Sequence, residues 1–493
     1  MIMTIPGPHR TDKEYKMAPR ICVLGAGPGG YVAAVRAAQQ GADVTLIEKE
    51  NPGGTCLNWG CIPSKVLITT ADLYESFQRA GAFGIAVPGD AAVDMGALMA
   101  RKDKIIQDQI KGLRNLFDHH RISYINGTGT ILKTGVTEVT LNDGSTHAVA
   151  WDRLILATGS RPMDLPGLQV DGRRILSSND ALGLKRVPPS ILIVGGGVIG
   201  CEFAHIFGAL GSQVTVVEAL ERLLPLPSVD TACSKVLQRE MKKRRQRFLP
   251  HRTVQSVSEN QEGVRVVIGP SPFNANPTAK EKEPVEVIVD TVLVAVGRSP
   301  NTDNIGLAQT HVELDNRGWV KCNNRMQTAD PAVYAVGDVL GPARIMLAHA
   351  ASTEGLVAAD NAMGGDRRMA YHAVPGAIFT SPEVATVGLT EIQAHAAGHA
   401  VRADEVLFRT LGKAQVIGEI AGQAKIVSET NTGQVLGVHI IGPHATELIA
   451  EGTLAVHKGL TVDDLVGTIR AHPTLAEIVA ETAMKAAGRP LHG

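Results

Sequence analysis

One pattern occurs twice in this chain, and it dictates most of what the chain can become. The apolar run Arg20-Ile-Cys-Val-Leu-Gly25 opens into Gly25-Ala-Gly-Pro-Gly-Gly30, an alanine-rich stretch to Gln40, and a second apolar run, Asp43-Val-Thr-Leu-Ile-Glu48. The grammar returns as Ser190-Ile-Leu-Ile-Val-Gly195, Gly195-Gly-Gly-Val-Ile-Gly200, a helical stretch to Leu210, and Gln213-Val-Thr-Val-Val-Glu218. Each copy reads as strand, glycine turn, helix, strand. The first glycine (Gly25, Gly195) makes the tight turn, the second (Gly27, Gly197) lets backbone approach a pyrophosphate, and the third (Gly30, Gly200) lets the helix pack closely on its strand. The helix N-terminus then faces the phosphates. Glu48 and Glu218 close the two copies at the same offset, where a carboxylate accepts hydrogen bonds from ribose hydroxyls. At Glu218 that carboxylate would repel a 2'-phosphate, which favours NAD over NADP. One G-x-G-x-x-G is weak evidence; two strand-bounded copies ending in the same acid are strong evidence for two dinucleotide sites.

Just downstream of the first copy lies Gly54-Thr-Cys-Leu-Asn-Trp-Gly-Cys-Ile-Pro-Ser-Lys65, with thiols at Cys56 and Cys61. At that spacing the sulfurs can meet only if the backbone bends or coils, because a bridge needs Cα atoms within about 7 Å. Gly53, Gly54, Gly60 and Pro63 supply such bends. A cysteine pair beside a nucleotide site points to a redox disulfide. The chain has only 6 cysteines in 493 residues, too few for a secreted disulfide framework.

Length allows about three or four domains at roughly 100–200 residues each. A formal net charge of −1 offers no general attraction to nucleic acid or anionic membrane, and no apolar run reaches the ~18 residues of a membrane span. Neither partner is expected, nor is a metal site. Residues 1–18, with prolines and mixed charges, read as a flexible tail without a targeting pattern, so a cytoplasmic protein is expected.

Between the two units, residues 97–120 carry helical periodicity. The runs Trp151-Asp-Arg-Leu-Ile-Leu-Ala-Thr-Gly-Ser160 and Asp290-Thr-Val-Leu-Val-Ala-Val-Gly297 are strands that end in glycine turns, where a chain can cross near a cofactor. Pro331-Ala-Val-Tyr-Ala-Val-Gly-Asp338 ends in an acid able to hold a cofactor hydroxyl, and a helix follows from about Met346 to Met363. Residues 269–284 read as a surface loop, and composition shifts near 366. The expected fold is α/β, with two Rossmann-like units and a C-terminal α+β domain.

From about residue 19 onward these motifs resemble the flavoprotein pyridine nucleotide-disulfide oxidoreductases. The likeness rests on Gly54 to Lys65, Ala157-Thr-Gly-Ser160, Val296-Gly-Arg-Ser-Pro-Asn301, Gly337-Asp338, Met346-Leu-Ala-His349, Ser381-Pro-Glu-Val-Ala-Thr-Val-Gly-Leu389 and Ala471-His-Pro-Thr-Leu-Ala-Glu477. Among its members the chain looks most like those that oxidise protein-bound dihydrolipoamide with NAD. The resemblance implies an FAD-binding domain at 19–160, an NAD-binding domain at 161–295, a central domain at 296–366 completing the FAD site, and a dimerisation domain at 367–493. It implies FAD contacts at Gly25, Gly27, Gly30, Glu48, Lys65, Gly129, Thr158, Gly159, Ser160, Asp338, Met346, Leu347, Ala348 and His349. NAD contacts fall at Gly195, Gly197, Gly200, Glu202, Glu218, Val254 and Gly297, with Glu202 also matching the acid that pairs with the family's lysine, here Lys65.

The same resemblance makes Cys56 and Cys61 the redox pair, and His472 with Glu477 a base that reaches the pair of the other subunit. A homodimer and a lipoyl-bearing acyltransferase partner follow from it. A reductase of the glutathione type is the enzymatic alternative, though it uses NADPH and prefers arginines at the position of Glu218. A non-catalytic NADH-binding flavoprotein is the other. The family commonly has a basic residue directly after the histidine where this chain has Ala350.

Overall fold

The computed structural model describes residues 18–89 and 91–492, so the expected tail lies outside the described residues except for Ala18. The first unit is a seven-stranded sheet. Its spatial order is Val333–Ala335, Arg153–Leu156, Arg20–Leu24, Asp43–Glu48, Ser123–Lys133, Val136–Leu141, Thr146–Ala150. The first five strands run parallel and the last two fold back as an antiparallel meander. The central strand Arg20–Leu24 reads as an unbroken apolar run because both its faces are covered. The helices Pro28–Gln39 and Ala348–Ala362 pack against each other. Gly355 allows the close approach, since a Cβ there would lie 2.3 Å from the Gly29 carbonyl oxygen.

The second unit is a five-stranded all-parallel sheet in the order Arg247–Leu249, Gln213–Val217, Ser190–Val194, Thr291–Val294, Ile175–Ser177. An antiparallel meander, Arg252–Glu259, Val264–Pro270 and Val285–Val289, packs against this unit through Val264, Val266 and Ile268. Residues 269–284 connect two of its strands, as expected for a loop, but include one helical turn, Ala279–Lys282, closed by a Thr278–Glu281 capping box. Arg252 donates to the Glu283 and Lys280 carbonyls at 2.6 Å each, which pins the segment. A two-stranded ribbon, Ser160–Pro162 with Arg298–Pro300, joins the ends of the two nucleotide units.

The C-terminal part is an antiparallel five-stranded sheet ordered Gly376–Ile378, Glu383–Gly388, Val435–Gly442, Gln423–Glu429, Val401–Leu407. The helix Ala445–Lys458 packs on Glu383–Gly388 and Val435–Gly442, and Glu477–Ala486 on Val401–Leu407 and Gln423–Glu429. The expected α/β class, with two Rossmann-like units and a C-terminal α+β domain, is the observed one. The long helix expected over 97–120 spans Met95–His119. Among the described residues no helix is long and apolar enough to cross a membrane.

Candidate active site

The two nucleotide turns are near replicas. Gly25 and Gly195 have φ of 105° and 108°, in the region that favours glycine. A Cβ on either would collide with a carbonyl oxygen, at 2.3 Å from Ala157 and 2.4 Å from Ala295. A Cβ on Gly30 or Gly200 would lie 1.9 Å from the carbonyl oxygen of the first glycine, so the helix can approach only without one. Glu48 accepts from the N–H groups of Ala26 (2.8 Å) and Glu50 (2.9 Å); Glu218 accepts from those of Gly196 (2.6 Å) and Leu220 (2.8 Å). Each acid thus locks its own glycine turn, and each carboxylate oxygen keeps a lone pair for a ribose hydroxyl. Burial raises the Glu48 carboxyl, while the Ala26 and Glu50 amides pull it back down.

The cysteine segment docks on the first turn. The Gly53 N–H donates to the Ala26 carbonyl at 2.8 Å, and a Cβ on Gly54 would sit 2.6 Å from the Gly27 Cα. Cys56 lies in the short helix Gly54–Trp59, and Cys61 is the first residue of Cys61–Gln78. Both are half-buried. Cys61 is lowered to about 7, chiefly by its hydrogen bond with Cys56 and further by the Lys65 ammonium, while burial opposes the shift. Cys56 moves the other way, raised by that same hydrogen bond and by burial. The positive end of the helix Cys61–Gln78 also favours a thiolate at its first residue. By contrast burial pushes Cys22, Cys233 and Cys322 up to about 12, and raises Cys201 as well.

Lys65, one turn after Cys61, reaches out of the first unit. Its Nζ lies 3.0 and 2.9 Å from the Glu202 oxygens on the helix Val198–Ala209, and 4.2 Å from the centre of the Phe379 ring. Glu202 also accepts from the Phe379 N–H at 3.0 Å. The expected Lys65–Glu202 pair is therefore formed; Phe379 was invisible in the sequence because it belongs to no motif and arrives from the C-terminal part. At the end of Arg153–Leu156, Ser160 Oγ donates to Asp338 at 2.7 Å and Arg298 Nε donates to Ser160 Oγ at 2.6 Å. Asn301 donates to the Thr158 carbonyl at 2.9 Å, and its N–H to that of Gly159 at 3.0 Å. Arg298 and Asn301 stand inside a quoted motif, but only the ribbon reveals what they hold.

Gly129 sits on Ser123–Lys133, where a Cβ would lie 2.5 Å from Leu24 Cδ1. Met346 and Leu347 precede, and Ala348 and His349 begin, the helix Ala348–Ala362, and the His349 Nε2 is 2.7 Å from the Pro375 carbonyl. Val254 is at a bulge of the meander beside the second sheet; Gly297 follows that sheet's strand Thr291–Val294. His472 and Glu477 form a dyad, Nδ1 to Oε1 2.8 Å, and Glu477 also accepts from the Thr474 N–H at 2.9 Å. Burial acts upward on Glu477, but the His472 hydrogen bond and the Thr474 amide leave it lowered. The helix Glu477–Ala486 packs within the C-terminal part, and the His472 side chain is 78% exposed, pointing away from its own chain's core.

The residues fit a bound dinucleotide at both turns. Among the described residues, nothing beyond its own chain neighbours lies within 4 Å of a Cβ placed on Gly197, so the second turn leaves its backbone open to a pyrophosphate. On the first side, the Thr158 hydroxyl is buried without a hydrogen-bond partner, in the segment that follows the sheet's carboxyl end. A doubled dinucleotide architecture with a pair of neighbouring thiols beside the first turn defines a nucleotide-dependent dithiol–disulfide oxidoreductase.

Comparison with known proteins agrees. Residues 19–355 match the family model for pyridine nucleotide-disulphide oxidoreductases, and residues 374–483 match that family's dimerisation domain. The chain belongs to this family, whose members use FAD and NAD, and it is an enzyme of that kind. It is 42% identical to the dihydrolipoyl dehydrogenase of Chlamydia muridarum over 472 residues, 95% of this chain and 97% of that protein. It is 37% identical to a dihydrolipoyl dehydrogenase of Bacillus subtilis, over 96% of this chain and 99% of that one. Among solved structures it resembles LpdA of Mycobacterium tuberculosis, with TM-score 0.86, 28% identity, and coverage of 95% and 99%.

Proposed function

We propose that the chain oxidises protein-bound dihydrolipoamide to lipoamide with reduction of NAD+ to NADH. The observation that carries the reading is the Cys56–Cys61 segment docked on a nucleotide turn, one helical turn from the Lys65–Glu202 pair, with Cys61 lowered and Cys56 raised by their mutual hydrogen bond. In the disulfide form, a substrate thiolate attacks Cys56 Sγ, the Cys56–Cys61 bond breaks, and Cys61 leaves as a thiolate. The second substrate thiolate then displaces Cys56, which closes the lipoamide disulfide and leaves the protein dithiol holding the electron pair. FAD, when bound, would carry that pair from the dithiol to NAD+.

His472 takes the substrate thiol's proton at Nε2, while Glu477 fixes Nδ1 as the protonated nitrogen and stabilises the imidazolium. Because the dyad faces away from its own core, it serves the Cys56 of a second copy, which makes the working enzyme a homodimer. Lys65, held by Glu202, would supply a cation to a bound FAD, and Ser160 with Arg298 orients Asp338, which would hold a cofactor hydroxyl. We assign FAD to 19–160, completed by 296–366 through the strand Val333–Ala335; NAD to 161–295; and dimerisation to 367–493.

Coenzyme choice follows from Glu218 and from Arg222, the only guanidinium close behind it in sequence. Arg222 is committed to the carbonyls of Leu224, Leu226 and Val229 and to Ser234, so it is not available to a 2'-phosphate. A lipoyl-bearing acyltransferase is the expected partner. NADH formation from dihydrolipoamide, compared with NADP and with oxidised glutathione plus NADPH, tests the reading. Turnover confined to the last pair would replace it.

A further inference from the structure

One buried acid near the proposed FAD site belongs to no motif quoted for the family. Glu354, on the second turn of the helix Ala348–Ala362, is 1% exposed. Its Oε2 accepts from the Gly337 N–H at 2.7 Å, and its Oε1 accepts from the Tyr371 hydroxyl at 2.6 Å. Gly337 has φ 75° and turns the chain from the strand Val333–Ala335 into Asp338. Tyr371 opens the C-terminal part, and its ring lies 4.7 Å from the Arg344 guanidinium carbon. Glu354 thus clamps together the Asp338 turn, the helix that begins at Ala348, and the start of the C-terminal domain.

A structural clamp needs no charge; a neutral amide would hold both contacts. A carboxyl costs more to bury than an amide, and burial here pushes it up to about 7, with Asp338 adding like charge and Tyr371, Gly337 and Arg344 opposing. Near neutrality it therefore still carries charge, inside the wall of the nucleotide site. Resting on the FAD reading above, we propose that Glu354 is a positioning residue whose buried carboxylate fixes the Gly337-Asp338 turn and biases the bound flavin against reduction, by placing negative charge behind the turn that holds it.

The test uses the full-length purified enzyme at pH 8, where the carboxylate is ionised. Glu354→Gln removes the charge while its amide oxygen still accepts from the Gly337 N–H and its NH2 donates to the Tyr371 oxygen, reversing that bond; it is expected to retain FAD but shift the flavin midpoint potential to a more positive value. Glu354→Ala leaves the Gly337 N–H without its acceptor and is expected to weaken FAD retention roughly tenfold or more. Tyr371→Phe, which removes the carboxylate's hydroxyl donor, should move the potential in the same direction by less. A Glu354→Gln enzyme that holds FAD at the wild-type potential overturns the proposal. If that variant does not fold, an unchanged potential in Tyr371→Phe does so instead. A wild-type protein that binds no flavin would refute the FAD reading itself, a different outcome from either.

Discussion

The two nucleotide units share one backbone solution and differ in what lies above it. Both turns are locked by an acid accepting two N–H groups, and both exclude a Cβ at the same two glycines. Over the first turn, however, the cysteine segment closes down, with the Gly54 Cα 3.8 Å from where a Gly27 Cβ would be, whereas Gly197 faces open space. The same element is therefore a covered site in one unit and an open site in the other. A covered site suits a cofactor that stays, and an open one suits a cofactor that must leave each cycle as product. The chemistry sits on the covered side because the thiol pair lies there; the second turn has the single buried thiol of Cys201, which donates to the Gly196 carbonyl.

The sharpest break in that contrast is Cys56→Ser. Dihydrolipoamide oxidation should fall to background, because no mixed disulfide can form, while FAD content and electron transfer from NADH to an artificial acceptor persist; loss of both activities together would mean that the thiols and nucleotide sites are not separable. His472→Ala comes next. Removing the base should slow the lipoamide reaction by roughly 10²–10⁴-fold and leave the artificial-acceptor rate alone, and near wild-type lipoamide turnover would exclude the dyad.

Gly197→Ala probes the open side. A methyl where the pyrophosphate approaches should raise KM for NAD by about 10–100-fold, on an overpacking cost of roughly 1–3 kcal/mol, with FAD content unchanged; flavin loss would show that the two sites are not independent. The mildest test is pH. In the reduced enzyme Cys61 is lowered to about 7, and the reactive form is deprotonated, so alkylation of Cys61 should plateau above that value and fall about tenfold per pH unit below it. A midpoint near 8.5, that of an ordinary thiol, would remove the polarised pair.

Much of this was legible in the chain before any fold was drawn. The glycine turns, the strand-ending acids and the cysteine spacing are local patterns, and local geometry fixes them: φ near 105° at Gly25 and Gly195 admits little but glycine. The alanine-rich and periodic stretches likewise became helices within a few residues of their expected bounds, as with Met95–His119 and Ala348–Ala362. Family resemblance, not periodicity, supplied His472 and Glu477; as one histidine among 16, His472 has no local signature.

What tertiary structure alone decided are the meetings of residues far apart in sequence. Strand Val333–Ala335 completes a sheet begun at Arg20, Phe379 caps the Lys65–Glu202 pair, and Arg298 reaches Asp338 through Ser160. Glu354 clasping Tyr371 and Gly337 is of the same kind. None repeats with a helix or strand period, and each depends on how segments distant in sequence come together. Sequence therefore determined the nucleotide turns and the thiols, where steric exclusion at single residues leaves one solution. Docking decided the charges and hydrogen bonds around them, because those energies exist only once distant segments have been desolvated together.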